Sequence, residues 1–402
     1  MKIIVQKFGG TSVATEEARN LARKKIEEVI ASGFRTVVVV SAMGRKGDPY
    51  ATDSLIQLLK KENGEVSLRE LDTLMCCGEL IAAAVMAANL QGAGIQAAAM
   101  TGAQAGIFTD SNFGDARIKS VDTENIRKLL HQGIVPVICG FQGVETEGWM
   151  TTLGRGGSDT TAAALGAALE AERVEIYTDV EGIMTADPRV VANATILDCV
   201  SYGDVCQMAY EGAKVIHARA VEIAMEKDVP IFIKSTFSDA PGTLIGKADI
   251  VEEKTAIPGR TINSIAYLRE LAQFRVSFDG SDASCGQRLY DQLAQNHISV
   301  GCLNLQPELT MFSVFMFDVD KTDKLLQELG YSYEKHTDCA KVSVVGSGMR
   351  GVPGIMAKFV AALAEKDIVI LQMVDSDTTI SAIIGQEVLN DAVTALHDAF
   401  NL

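Results

Sequence analysis

The sequence predicts an α/β protein: a mostly parallel sheet between helices over residues 1–245, then a smaller region in which one pattern occurs twice. Three observations lead there. Short continuous apolar runs alternate with helix-like segments through the first part, as in a parallel sheet buried on both faces. Glycine-rich turns bearing cations and hydroxyls follow those runs, where ligands of such sheets sit. Beyond residue 261 the order β-α-β-β-α appears, and then appears again.

Taken in order, residues 3–6 form a short apolar strand, 16–31 a helix, and 36–40 a β-branched strand ending at Ser41. An alanine-rich helix covers 71–88, a strand 134–139, a helix 159–169 and a strand 174–177. Another helix spans 218–227, and 230–233 begins a last strand. Glycine, proline and charge without periodicity mark 246–261 as a linker. Residues 273–278, 285–296, 299–305, 311–317 and 323–329 then read strand, helix, strand, strand, helix, and 333–336 closes this first module. Residues 341–345, 355–366, 369–374, 379–384 and 387–400 repeat the pattern without a closing strand. Only 262–268 is spare to supply it. The expected division is therefore 1–245, a linker at 246–261, a first module at 272–337, and a discontinuous second module made of 262–271 plus 338–402.

Composition narrows the function. Of 402 residues, 48% are hydrophobic and 22% charged, which is ordinary for a globular chain. The formal net charge of −16 argues against nucleic-acid or anionic-membrane partners, because those reward clustered Lys and Arg. No uninterrupted apolar run approaches the ~20 residues of a membrane span. The N-terminus reads as a strand and not as a signal peptide. Eight scattered cysteines without a Cys-x-x-Cys suggest reduced thiols in a cytoplasmic protein, and five histidines without ligand spacing predict no metal site.

Two segments carry the chemistry: Lys7-Phe8-Gly9-Gly10-Thr11-Ser12 and Thr152-Leu153-Gly154-Arg155-Gly156-Gly157-Ser158-Asp159-Thr160-Thr161. Both combine glycine turns, cations and hydroxyls, as polyphosphate binding requires, yet no Walker loop occurs anywhere. With Ser41-Ala42, Tyr177-Thr178-Asp179-Val180-Glu181-Gly182, Thr185-Ala186-Asp187-Pro188-Arg189 and Gly212-Ala213-Lys214-Val215, they make the whole chain resemble an aspartokinase. Residues 41–53 and 369–380 look most like the diaminopimelate-responsive aspartokinases of Gram-positive bacteria. The resemblance implies an amino-acid-kinase (carbamate-kinase-like) sandwich followed by two ferredoxin-like ACT modules, without an appended homoserine dehydrogenase.

The implied reaction passes the γ-phosphoryl group of ATP to the side-chain carboxylate of L-aspartate. A carboxyl of this type has a pKa near ~3.9, so no general base is required. Positioning and charge neutralisation are what the protein must supply. Lys7 is the candidate γ-phosphate cation, since a lysine buried at a strand end before Gly-Gly needs an anionic partner. The amides of Gly9 and Gly10 are expected to cradle phosphate oxygens. By resemblance, Lys214 is a second phosphate cation, and Asp159 organises Lys7 and the metal-phosphate cluster. Resemblance also puts Phe8, Ser41, Ser158, Tyr177, Thr178, Asp179, Ile183, Asp187 and Pro188 around the nucleotide. Arg155, whose fork suits a carboxylate, is expected on the substrate with Gly156, Gly157, Ser158, Ser41 and Thr52. Glu79 would take the substrate ammonium, although an acid favoured by a helix N-terminus explains it equally. Ser158 and Asp159 also fit a plain N-cap, and Ser41 and Thr52 fit turn or cap residues. Magnesium is expected on the ATP phosphates, with no dedicated protein cage.

Gly346-Ser347-Gly348-Met349-Arg350-Gly351 imitates a dinucleotide fingerprint, but too few residues follow it for that fold. The ACT reading instead places an amino-acid effector, meso-diaminopimelate or lysine, near the Gly351-Val352-Pro353-Gly354 turn. In the first module Asp279-Gly280-Ser281-Asp282-Ala283 stands where relatives often have Pro-Gly. ACT pairing implies at least a homodimer. Removing 262–402 is expected to abolish inhibition while sparing catalysis. The alternatives are a kinase of glutamate or carbamate, and an amino-acid sensor without catalysis.

Overall fold

The structure, a computed structural model, describes residues 1–213, 215–248, 261–279, 284–349 and 351–402. They fall into two compact units. One holds Met1–Ile183, Ile196–Ala209 and the described residues 215–248; the other holds Met184–Thr195, Tyr210–Ala213 and the described residues from 261 onward.

The first unit begins with β1 (Ile3–Phe8), the short α1 (Gly10–Val13), α2 (Glu16–Ala31) and β2 (Arg35–Val40). Every residue of β1 is buried, and β2 is buried after its first residue, which is why both read as continuous apolar runs. In α2 the Thr15 hydroxyl accepts from the Ala18 amide, and Ala18, Ala22, Ile26 and Val29 bury one stripe. Next come α3 (Thr52–Glu62), α4 (Leu68–Gly92), β3 (Ala97–Met100), β4 (Ile107–Thr109), β5 (Ile118–Val121), α5 (Glu124–His131) and β6 (Val135–Cys139). Then follow β7 (Gln142–Val144), β8 (Met150–Thr152), α6 (Gly157–Leu169), β9 (Arg173–Thr178), β10 (Cys199–Ser201), α7 (Tyr202–Tyr210), α8 (Ala218–Glu226), β11 (Ile231–Ser235) and β12 (Thr243–Gly246).

Eight of these strands form one sheet in the order β10-β12-β11-β9-β1-β2-β6-β3. All neighbours are parallel except β11 and β12. A separate sheet, β5-β4-β7-β8, carries the chain toward residues 153–158. Among the described residues α4 alone is long and apolar enough to cross a membrane. It behaves as a core helix: Ala82, Ala83, Met86 and Leu90 are fully buried in the cluster beneath the sheet, with the acids Asp72 and Glu79 buried on the same helix.

The second unit contains β13 (Ser264–Ser277), α9 (Cys285–Gln295), β14 (Gly301–Leu305), β15 (Leu309–Phe315), α10 (Val319–Glu328) and β16 (Ser332–Val345). It ends with α11 (Ile355–Ala364), β17 (Gln372–Asp375), β18 (Thr379–Gly385) and α12 (Leu389–Phe400). Six strands make one antiparallel sheet, β14-β15-β13-β16-β18-β17.

The strands expected at 262–268 and 273–278 are one strand here, as are those at 333–336 and 341–345. Bulges account for the difference. The β13–β16 register shifts on either side of Leu271, and Glu270 and Asp338 have φ of 60° and 54°. Inside–outside alternation breaks there, so the sequence pattern stops and restarts. The halves of each strand also serve different cores. Ile265, Val342 and Val344 join Phe359, Leu363 and Leu396, while Ala272, Phe274 and Val276 join Leu289, Phe312 and Leu326. Most of the expected linker, and Gly280–Ala283 of the first-module turn, lie outside the described residues.

Candidate active site

The four central strands β9, β1, β2 and β6 run parallel, so their C-terminal ends and the turns that follow come together. Lys7, the penultimate residue of β1, is 8% exposed. Its Nζ lies 2.6 Å from Asp159 Oδ1 in the first turn of α6, and both side chains are largely buried. The turn before α6 delivers that acid: Gly154 and Gly156 have φ of 70° and 71°, and a Cβ on Gly156 would meet His217 Cβ at 2.3 Å.

The Gly-Gly turn after β1 divides its work. The Gly9 amide donates to the Tyr177 carbonyl at 3.0 Å, so it is committed to the sheet end and corrects the expected two-amide cradle. Gly10 opens α1, whose first-turn amides have no intrahelical acceptor. Its carbonyl accepts from Gly44 N at 3.0 Å, and an added Cβ would stand 2.7 Å from both the Ala42 and Gly44 oxygens. The chain after β2 is thereby pressed against the turn after β1.

Glu79 sits in the middle of α4, not at a helix start, so a helix N-terminus does not explain it. It is 2% exposed, and Oε1 accepts from the Ala42 amide at 3.0 Å. Oε2 has no hydrogen-bond partner among the described residues. Burial pushes this carboxyl up to about 8. A buried carboxylate with an unmatched oxygen is a receptor for a cation.

Ser41, Thr52, Glu79, Arg155, Gly156, Gly157 and Ser158 line one cleft of about 300 Å³ with Lys7, Gly10 and Asp159. Arg155 is exposed at its rim, and Thr52 is the first residue of α3. The cleft also takes Arg45, Lys46, Asp53 and Phe141, which the sequence reading passed over. Two cations between Gly44 and Gly47 resemble a solvated turn, and only their placement reveals the positive lining. Arg45 pairs with Asp179 just beyond β9.

A further residue missed in the sequence is Asp72, fully buried on α4. It accepts from Gly114 N and Thr152 N, both at 2.9 Å, and from Thr152 Oγ1 at 2.7 Å. Burial raises its pKa, with the three hydrogen bonds acting in the other direction. Asp72 thus fixes the end of β8, from which the Arg155 turn departs. Arg219 holds the next residue, donating to the Leu153 carbonyl at 2.8 Å.

The expected nucleotide residues are less unified. Phe8 and Tyr177 are buried and stacked, centroids 4.9 Å apart, and the Tyr177 hydroxyl donates to Glu175 Oε2 at 3.1 Å. Their side chains belong to the core, so a ligand beside them would meet their backbone. The Thr178 hydroxyl donates to Asp179 Oδ1 at 3.0 Å, and the Ile183 amide to Thr243 Oγ1 at 2.8 Å. Asp187 and Pro188 lie in the second unit. Asp187 is bound by Arg189 and by the Tyr267 hydroxyl, the latter at 2.8 Å, and this hydrogen bonding, led by Arg189, brings its carboxyl down to about 2. Lys214 lies outside the described residues.

Residues 2–235 match the amino acid kinase family, and residues 334–398 match the ACT domain. Aspartokinase 1 of Bacillus subtilis (strain 168) is 46% identical over 402 residues, with both chains covered in full. The chain belongs to the aspartokinase family. E. coli aspartokinase III in complex with aspartate and ADP, in its R-state, superposes with a TM-score of 0.79 at 26% identity, covering all of both chains. The T-state of the same E. coli enzyme, in complex with lysine and aspartate, gives 0.74 at 25% identity over 99% of each.

The enzyme is therefore an ATP-dependent aspartate kinase built from an amino-acid-kinase sandwich and ACT modules, and the ACT modules point to allosteric control by amino acids. Its Gly346–Gly351 turn joins β16 to α11 of an antiparallel sheet, which disposes of the dinucleotide alternative.

Proposed function

We propose that the cleft binds L-aspartate and the ATP phosphates side by side, with Lys7, Asp159 and Lys214 as the transfer machinery. The observation that carries this reading is the Lys7–Asp159 pair opening onto the same cleft as the unmatched Glu79 oxygen. Lys7 steadies the γ-phosphoryl group as the bond to the β–γ bridge oxygen breaks and that oxygen, leaving with ADP, gains charge, and Asp159 holds Lys7 in place. Glu79 receives the substrate ammonium, Arg155 its α-carboxylate, and Ser41, Thr52 and Ser158 supply hydroxyls. The side-chain carboxylate of aspartate attacks without a general base. Arg45 and Lys46 extend the positive lining toward the phosphates. The nucleotide then runs past Thr178 and Asp179 toward Ile183.

Magnesium fits as a passenger on ATP. The donor set favours this: Lys7, Arg45 and Lys46 with Asp159 suit phosphate oxygens that carry most of the coordination themselves. Bound there with ATP, the metal would neutralise part of the phosphate charge.

The domain limits are 1–245 and 246–261, then 272–337 as the first ACT module and 262–271 plus 338–402 as the second. The two separate apolar clusters under the two halves of β13 and β16 support this division. The effector is meso-diaminopimelate or lysine, bound between ACT modules of a homodimer. Lysine in the E. coli T-state and the exposed Phe315–Phe317 stack with Leu303 and Leu305 favour these readings. Eight scattered cysteines without a Cys-x-x-Cys fit a reducing, cytoplasmic setting.

A hydroxamate assay with ATP and Mg²⁺ on L-aspartate, L-glutamate and carbamate tests the site. Aspartyl hydroxamate from the wild type, lost in Lys7→Ala and Lys214→Ala, is the expected result. Unchanged turnover in Lys7→Ala would sink the assignment of the phosphate cation. Adding lysine, threonine or meso-diaminopimelate identifies the effector by which one inhibits.

A further inference from the structure

The loop after β2 is folded so that it carries two cations to the cleft. The Gly44 amide donates to the Gly10 carbonyl at 3.0 Å, which ties the loop to the turn after β1. Gly44 has φ of 90°, and a Cβ there would lie 2.3 Å from Asp48 Oδ2, so glycine is what lets Asp48 close over it. Asp48 Oδ2 accepts from the Arg45 amide at 2.7 Å, and the Asp48 amide donates to the Arg45 carbonyl at 2.9 Å. The Asp48 carbonyl accepts at 2.7 Å from the hydroxyl of Ser54, in the first turn of α3. Arg45 and Lys46 stand on this closed turn and line the cleft with Lys7. Every residue involved belongs to the first unit.

Lys7 and Arg45 are held differently. The Lys7–Asp159 pair is largely buried, so it stays matched. Arg45 Nη2 donates to Asp179 Oδ2, while Asp179 Oδ1 accepts from the Thr178 hydroxyl at 3.0 Å. The Arg45 and Asp179 side chains are 67% and 41% exposed. An ion pair so wet contributes little and is readily given up. A phosphate offers the same guanidinium a forked acceptor of higher charge, which makes it the stronger partner. We propose that Arg45 is a further catalytic residue, which leaves Asp179 for the γ-phosphoryl oxygens when ATP binds and returns when ADP departs. The proposal deepens the reading of the cleft given above and rests on it, because Lys7 must mark the γ-phosphate end. In the transfer an aspartate carboxylate oxygen forms the new O–P bond, the bond to the β–γ bridge oxygen breaks, and ADP leaves with that electron pair. Arg45 donates hydrogen bonds throughout and exchanges no proton, since a guanidinium stays protonated.

The test uses the full-length enzyme. It measures kcat at saturating aspartate and ATP, and by calorimetry the binding of ADP and of a non-hydrolysable ATP analogue. Arg45→Gln is expected to lower kcat about 100-fold with an unchanged Tm. It should weaken the analogue about tenfold and leave ADP within about twofold, because ADP has no γ-phosphate. Arg45→Lys keeps the charge but loses the fork, and should recover part of both losses. Lys46→Gln, on the same turn, should weaken both nucleotides alike and by less. Asp179→Asn removes the competing carboxylate and should tighten the analogue about threefold. An unchanged kcat in Arg45→Gln would overturn the proposal, as would equal weakening of ADP and the analogue. So would an Asp179→Asn that loses as much as Arg45→Gln. Lys7→Ala run in parallel separates the two readings. Wild-type kinetics there would remove the γ-phosphate assignment and the proposal with it. A dead Lys7→Ala beside a normal Arg45→Gln would defeat the role of Arg45 alone.

Discussion

Lys7 Nζ and Asp159 Oδ1, 2.6 Å apart, join the end of β1 to the first turn of α6 across the mouth of the cleft. Removing one member of such a pair leaves the other charge buried. Asp159→Ala is expected to cost about 3 kcal/mol of stability without nucleotide. Saturating ATP should recover part of it, because phosphate replaces the lost counter-charge. Denaturant titrations with and without ATP check this, and equal losses in both would contradict it.

Glu79 makes substrate binding depend on pH. Its native pKa of about 8 lies above the unfolded value of 4.5, so the fold favours the neutral acid. The associated stability is fully present below 4.5 and is lost as pH rises through about 8. Binding an ammonium needs the ionised form. The KM for aspartate is expected to fall as pH rises from 6 to 9, by about tenfold per unit well below the pKa. Glu79→Gln should abolish that slope, raise KM throughout, and gain stability over the wild type at pH 9 but not at pH 5.

Asp72 touches no part of the cleft, yet it fixes the strand that leads to Arg155. Asp72→Ala strands the Gly114 and Thr152 amides and the Thr152 hydroxyl. A loss of about 3 kcal/mol is expected, with a raised KM for aspartate and a smaller change for ATP. A KM for aspartate equal to that of wild type at a temperature where the variant is folded would separate Asp72 from the site.

Gly10 and Gly64 make a matched pair. A methyl group on Gly10 meets two backbone oxygens at 2.7 Å, whereas one on Gly64 meets nothing within 4 Å. Gly10→Ala is expected to destabilise by about 2 kcal/mol or to displace residues 42–44 with a large loss of kcat. Gly64→Ala should stay within about 0.5 kcal/mol of wild type. Thermal melts and kcat of both variants decide the matter.

The sheet core was legible because burial on both faces leaves β1, β2 and β9 nothing to alternate. Ala97–Met100 escaped notice because alanines carry no strand signal. The helix Thr52–Glu62 escaped because it buries none of its residues. In the site, Lys7, Glu79 and Arg155 could be singled out from motif and chemistry. Asp72 could not, since an acid near the start of an apolar helix resembles a solvated one until Gly114 and Thr152 close around it. For Phe8 and Tyr177 the motifs gave no sign that their rings serve the core, which shows only once they stack.

Ala186 and Val191, from the middle of the kinase sequence, share an apolar cluster with Phe359 and Leu396 near the chain's end. Thr185 likewise meets His397 at 2.9 Å. A deletion of residues 262–402 would therefore strip the covering from a loop between β9 and β10, and activity is expected to fall together with inhibition. Exchanging effector specificity between relatives by swapping C-terminal halves would splice mismatched partners across residues 184–195 and 210–213, and a working chimera would have to carry those two stretches along.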